Sequence, residues 1–468
     1  MSSDQVLPSS FRDPSGFIFR KDEVLYRQVN KPYSANYDQL MESGLYAALV
    51  KTGLLIPHEE VADELALTDD IYRVIKPVPL VFISFPHEWC FSQLKDAALL
   101  TLKIQLVALR FGMVLKDASA YNIQFHQGKV VFIDSLSFDK YEEGLPWVAY
   151  KQFCQHFLAP LALMSYRDIR LSQLLRVYID GIPLDLASKL LPWRSYLRFS
   201  MLSHIHLHAK SQSKYADSGE ASGPTPAVRP ISKRALTALT GSILSAVKAL
   251  HWKLPDTEWG DYYSATNYDS ISMRHKEKLV KQFIAAVDPH LKIAQDLGAN
   301  TGQFSKIAAE LGYDVISQDI DPVAVEKNYL DGIAKKQEKI LPLLLDLTNP
   351  SPAMGWRLKE RMSFMERSDG NLVLALALVH HLAISNNVPL HLIAKFFADV
   401  AKVLIIEFVP KQDSQVRKLL ASREDIFDLY NEVGFERAFS IYFTIDRKEK
   451  IKDSERTLYM MSAINQAA

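Results

Sequence analysis

Cysteine is almost absent from this chain: its 468 residues include two, Cys90 and Cys154, far apart in apolar sequence and outside any C-x-x-C pair. That excludes a disulfide framework and a cysteine-built zinc site, and it fits two buried thiols in a reducing compartment. Net charge is missing as well. Lysine plus arginine number 54 and aspartate plus glutamate 54, so the chain as a whole carries no electrostatic footprint for nucleic acid or a membrane surface. A DNA or tRNA substrate is therefore disfavoured. No apolar run reaches the length of a membrane span, and Met1–Arg12 lacks the basic and apolar stretches of a signal segment. The expectation is a cytoplasmic protein without membrane insertion. Internal repeats are lacking, and the one biased tract is Ser211–Pro230, where Ser, Gly, Pro and Ala interleave and a flexible linker is predicted. With 48% hydrophobic residues the chain can bury a large core but is too long for one ordinary domain. The expected division is residues 1–210, a linker over 211–230, and 231–468, with the helical pattern Ile231–Leu250 opening the second domain.

What is present begins with Asp296-Leu297-Gly298-Ala299-Asn300-Thr301-Gly302, set between a predicted strand at His290–Ala294 and a predicted helix at Gln303–Leu311. Glycine lets backbone approach a ligand without a Cβ in the way, and the following helix offers unpaired N–H groups to an anionic group. The dinucleotide fingerprint needs glycine where Asn300 and Gln303 stand, which disfavours NAD and FAD. Tyr313–Gln318 reads as the next strand and ends on Asp319-Ile320-Asp321. A carboxylate there can accept both vicinal hydroxyls of a ribose, with Asp319 the first choice and Asp321 the second. Three further predicted strands end on polar residues: Ile340–Leu345 on Asp346, Leu372–Leu378 at His380-His381, and Lys402–Ile406 on Glu407. Such regularity points to an open parallel sheet with ligands at the carboxyl ends of its strands. Phe439–Ile445 and Arg456–Ala463 read as a final strand pair joined by a charged turn, Asp446–Glu455.

The loop resembles motif I of class I S-adenosylmethionine (SAM) methyltransferases, D-x-G-x-G-x-G, with Asn300 in place of the middle glycine, and the final strand pair resembles the one that marks that family. The resemblance covers Trp259–Ile464. It implies a Rossmann-like α/β domain and SAM as cofactor, with Asp296, Gly298, Asn300 and Gly302 forming the cofactor loop, Asp319 on the ribose and Asp346 at the adenine amino group. His380 or His381 would face the acceptor and take a proton from an oxygen or nitrogen nucleophile. The aromatic segment Trp259–Tyr268 is a candidate lid, since aromatic faces attract a sulfonium as they do other cations. Across its whole length the chain also resembles bacterial nodulation-type methyltransferases, which implies a saccharide or lipo-oligosaccharide acceptor; a small metabolite is the other acceptor expected.

The N-terminal half carries another pattern: Asp117, four residues, Asn122, and then a strand ending in Asp134. Phosphoryl transfer needs one carboxylate to orient the accepting hydroxyl, and an amide and a second carboxylate to hold magnesium on the phosphates. A hairpin at Phe17–Val29 with Arg27, a helix at Tyr37–Thr52 with Glu42 and a long helix at Phe91–Gly112 complete a resemblance to the protein-kinase-like and aminoglycoside-phosphotransferase fold, an α+β domain, over Phe11–Leu207. Several positions depart from that pattern. Lys116 precedes the loop aspartate, Leu136 replaces the glycine after the metal-binding acid, Arg27 replaces lysine, and Gly16 stands alone where several glycines cover the phosphates; arginine and lysine are not interchangeable at a phosphate clamp. A degenerate domain without Mg–ATP is expected. The alternatives are a bifunctional kinase-methyltransferase and a non-catalytic SAM-binding scaffold. His204, His206 and His208 would share one face of a strand, but without a nearby carboxylate or cysteine they are not expected to hold a metal.

Overall fold

The structure, a computed structural model, describes residues 5–207, 230–255, 270–368, 372–421 and 423–464. The predicted linker Ser211–Pro230, all but its last residue, and the predicted lid Trp259–Tyr268 lie outside the described residues. The chain divides into two compact units, one of residues 1–253 with 353–361, the other of residues 254–352 with 362–468.

The first unit opens with an antiparallel sheet of five strands: β1 (Gln5–Val6), β2 (Gly16–Lys21), β3 (Val24–Asn30), β4 (His58–Val61) and β5 (Ile71–Pro77), in the order β1-β2-β3-β5-β4. The helix predicted over Tyr37–Thr52 forms as two pieces, Ser34–Glu42 and Leu45–Lys51, because Gly44 turns left-handed between them at φ +82°. Phe91–Arg110 is a 20-residue helix that buries Leu94, Ala98, Leu102, Gln105 and Leu109 along one stripe at helical spacing. After it come β6 (Met113–Leu115), β7 (Ile123–His126), β8 (Lys129–Phe132) and β9 (Phe138–Lys140), paired as β6 with β9 and β7 with β8.

Two boundaries differ from the sequence expectation. Helix Lys233–Ala249 belongs to the first unit, so the division falls after Lys253 and not at Ile231. Its buried residues Leu236, Thr240, Ile243 and Val247 recur at helical spacing, and Lys95 Nζ caps its end by donating to Leu250 O at 2.7 Å. Ala353–Arg361 also joins the first unit, where Arg12 grips the buried Glu360 carboxylate through two hydrogen bonds of 2.6 and 2.9 Å. Neither feature is readable from a local pattern.

The second unit is a seven-stranded sheet: β10 (Ile293–Leu297), β11 (Asp314–Asp319), β12 (Ile340–Leu344), β13 (Leu372–Ala375), β14 (Val403–Phe408), β15 (Phe443–Lys450) and β16 (Thr457–Ala463), in the order β12-β11-β10-β13-β14-β16-β15. The pairs among β10 to β14 are parallel, and β16 runs antiparallel to both its neighbours. Successive residues of β13 and β14 serve opposite faces. Val373, Ala375, Leu404 and Ile406 join one apolar cluster, and Leu372, Leu374 and Ile405 the other. A strand buried on both faces must be apolar throughout, which is why these strands are legible as continuous runs.

Candidate active site

Strand order reverses between β10 and β13, and open α/β sheets bind ligands at such a reversal, outside the carboxyl ends of the strands. A cavity of about 250 Å³ lies there, and its walls include Asp296, Gly298, Asn300, Asp319, Asp346 and His381. The loop after β10 turns on three left-handed residues, Gly298 at φ +75°, Asn300 at +51° and Gly302 at +77°. Asparagine tolerates this region because its short amide bonds locally, and here Asn300 Oδ1 accepts the Thr301 N–H at 2.8 Å. The middle glycine of the motif is thus replaced without loss of the turn. A Cβ on Gly302 would lie 2.6 Å from the Asn328 amide, and one on Gly298 would press Leu378 at 3.2 Å.

Asp296 is buried inside β10 and accepts the Ser305 hydroxyl at 2.6 Å. Asp319 Oδ2 accepts the Asn300 N–H at 2.7 Å and Oδ1 the Asp321 N–H at 2.9 Å. Burial pushes both carboxyls up to about 6; for Asp319 it outweighs the hydrogen bonds from Asp321 and Asn300 that pull the other way. The second-choice acid, Asp321, is not on the cavity wall. It caps helix Pro322–Lys335 by accepting the Val323 N–H at 2.9 Å. Asp346 lines the cavity, with Oδ1 taking the Thr348 N–H and hydroxyl at 2.8 and 2.7 Å. The two histidines separate. His381 lines the cavity, whereas His380 is 1% exposed and absent from its wall, with the two rings 4.1 Å apart. Burial and the nearby Arg456 lower His381 to about 4, so its imidazole is neutral at pH 7.

Sequence reasoning missed Lys276. It lines the cavity from helix Ser270–Ala285 and donates to Glu407 at 2.6 Å, while Arg456 holds the other Glu407 oxygen at 3.4 Å and Asp413 at 2.7 Å. A lysine in register with Val280, Phe283 and Ile284 on the apolar face of its helix was the available signal. Glu407, expected just past its strand, lies inside β14 one residue before its end and spends its charge on this network.

In the first unit, Asp117, Asn122 and Asp134 converge. Asn122 hydrogen-bonds Asp117 and donates to Ser137 Oγ at 3.2 Å, and Ser137 in turn donates to Asp134 at 2.7 Å. Burial and the neighbouring Asp134 raise the Asp117 carboxyl. Arg27 donates to Asp134 at 2.5 Å; although burial pushes Asp134 up, Arg27 and the hydrogen bonds from Ser137 and Leu136 hold it below the usual carboxylate range. His204 and His206 lie in a helical turn, not a strand, because each finds its own partners: Tyr150 at 2.8 Å for His204, Ser188 at 2.7 Å and Ser195 at 2.8 Å for His206. His208 lies outside the described residues. No cluster of three or more metal-ligating residues occurs among the described residues, and no described helix is long and apolar enough to cross a membrane.

Strand order, the glycine-type loop and the acids at the strand ends define a Rossmann-like α/β domain of the class I methyltransferase type. No protein-family model matches the chain. Nodulation protein NoeA of Rhizobium meliloti (strain 1021) is 37% identical over 454 residues, spanning 96% of this chain and 94% of that protein, and the chain belongs to its family. Among solved structures it is similar to magnesium protoporphyrin IX methyltransferase (ChlM) from Synechocystis PCC 6803, at 16% identity over 44% of this chain and 93% of that one, TM-score 0.31. It is also similar to N-methyltransferase NodS from Bradyrhizobium japonicum WM9, at 10% identity over 42% and 98%, TM-score 0.30.

Proposed function

We propose that this chain transfers a methyl group from SAM to an oxygen or nitrogen of a small-molecule or saccharide acceptor, and that His381 takes the acceptor's proton. The observation that carries this reading is the single cavity wall shared by the cofactor loop, Asp319 and His381. The residues fit the cofactor. Gly298 gives backbone room, and the Asp319 carboxylate, fixed by backbone N–H groups, lies on the cavity wall where it can accept a ribose hydroxyl. Leu345, Leu347 and Leu376 supply apolar wall beside Asp346 for a flat base. Asp296 and the Lys276–Glu407 pair bring polar groups of both signs to the wall where an aminocarboxylate would lie. When bound, SAM supplies an activated methyl group, so the chain's own work is to orient the nucleophile and remove its proton. A neutral His381 can accept that proton at a ring nitrogen. Following label from methyl-labelled SAM into metabolite or saccharide fractions tests the reading: His381→Ala should lower transfer by about 10²–10⁴-fold with SAM binding kept. Undiminished transfer by that variant would remove the base from His381.

A second reading concerns the first unit, which we infer to be kinase-like but without phosphotransfer. Its sheet, its long helix and the convergence of Asp117, Asn122 and Asp134 support the likeness. Against catalysis stand Arg27, whose guanidinium already neutralises the acid that would hold magnesium, and Lys116, engaged with Ser15 at 2.8 Å and Asp13 at 3.3 Å.

A further inference from the structure

Apolar side chains that face water singly are ordinary, but contiguous ones mark a contact surface. In the first unit the turn Trp193–Leu197 and the residues after it expose Trp193 by 75%, Leu197 by 72%, Phe199 by 77% and Tyr196 by 47%. Arg194 and Arg198, set between them, are exposed too. The segment is held from behind. Ser195 is fully buried, its hydroxyl donating to Pro192 O at 2.7 Å and meeting His206 Nε2 at 2.8 Å, and the Tyr196 ring stacks on His206 with centroids 3.6 Å apart. These aromatic side chains are therefore presented outward from an anchored base.

Charge identifies what they are presented to. From Leu186 to Ala216 the sequence holds no acid and five basic residues, Lys189, Arg194, Arg198, Lys210 and Lys214, in a chain whose formal net charge is zero. The zero total thus conceals a local segregation. Within seven positions two exposed arginines alternate with four exposed apolar side chains, so this surface is at once apolar and cationic. Tryptophan and tyrosine favour the headgroup level of a bilayer, and arginine can extend from apolar contacts to lipid phosphates.

We propose that Trp193–Phe199 is a membrane-surface docking site for an anionic lipid bilayer, with Trp193, Leu197 and Phe199 entering the boundary between headgroups and acyl chains and Arg194 and Arg198 on the phosphates. The site is peripheral and is independent of the methyltransferase reading. Sedimentation of the full chain with phosphatidylglycerol-containing vesicles, against pure phosphatidylcholine vesicles, tests it. Binding is expected to the anionic vesicles and to weaken at about 0.5 M salt, where exposed charges are screened. Trp193→Ser/Leu197→Ser/Phe199→Ser should abolish it, and Arg194→Gln/Arg198→Gln should lower partitioning about fivefold per arginine. The arginine pair decides alone if the triple variant does not fold. Absence of binding to anionic vesicles overturns the proposal, as does equal binding by wild type and the arginine variant. A dimer in light scattering that the triple variant breaks, without vesicle binding, would assign the surface to a second copy of the chain and overturn it likewise.

Discussion

Asp319 and Asp321 are two residues apart, yet they have different work. Asp319 faces the cavity with both oxygens on backbone donors, and Asp321 caps a helix. Asp319→Ala should weaken SAM binding by about 1.5–3 kcal/mol, the worth of hydrogen bonds to a charged group. Asp321→Ala should lower stability by about 1 kcal/mol and leave the affinity nearly unchanged. Titration calorimetry and thermal unfolding separate the two; the reverse order would move the ribose contact. A pH dependence follows as well. The folded Asp296 and Asp319 carboxyls sit at about 6, above the ordinary range near 4, so the folded state holds these protons more tightly than the unfolded chain does. Their contribution to stability is full below about pH 4 and is lost as pH rises through about 6. On the proposed ribose contact SAM affinity runs the other way, because ribose hydroxyls would donate to the ionised carboxylate. Calorimetry at several pH values should show affinity falling below about pH 6, and Asp319→Asn should flatten that fall.

At the scale of elements, the apolar parallel strands are legible because burial on both faces leaves little choice of residue. The last strand pair is less so. Asp446–Glu455 reads as a charged turn, but Asp446, Arg447, Lys448, Glu449 and Lys450 lie in β15, and the turn is confined to the residues before Thr457. β15 is the edge of the sheet, where charge on exposed side chains blocks pairing with another chain and is tolerated. Helix Lys233–Ala249 shows the complementary limit: its pattern is plain, and the surface it covers is not. Val247 is fully buried in the first unit, whereas Ala238 is exposed. Val247→Asp should destabilise the protein by about 3 kcal/mol or more, an unpaired charge being buried, and Ala238→Asp by no more than about 0.5 kcal/mol. Calorimetric unfolding compares them, and equal small effects would detach this helix from the first unit.

For the whole molecule, the question is whether two nucleotide-type sites operate or one. With Arg27 on Asp134 and Lys116 engaged, Mg–ATP should give no measurable heat of binding, and Asp117→Asn should leave SAM affinity unchanged. Magnesium-dependent ATP binding that Asp134→Ala abolishes would instead establish an active kinase-like unit.

Sequence alone determined the parallel sheet, the glycine-type loop after its first strand and the acids at or near the ends of its first strands. These depend on short-range chemistry: apolar strands, left-handed turns that glycine or asparagine accepts, and carboxylates within a few residues of the loop. Tertiary structure alone decided that His381 lines the cavity and His380 lies off its wall, that Lys276 joins it from a helix 20 residues upstream of Asp296, and that residues 353–361 serve the first unit. Each of these rests on partners distant in sequence, and the local pattern of a helix or strand records which face is buried without recording what buries it.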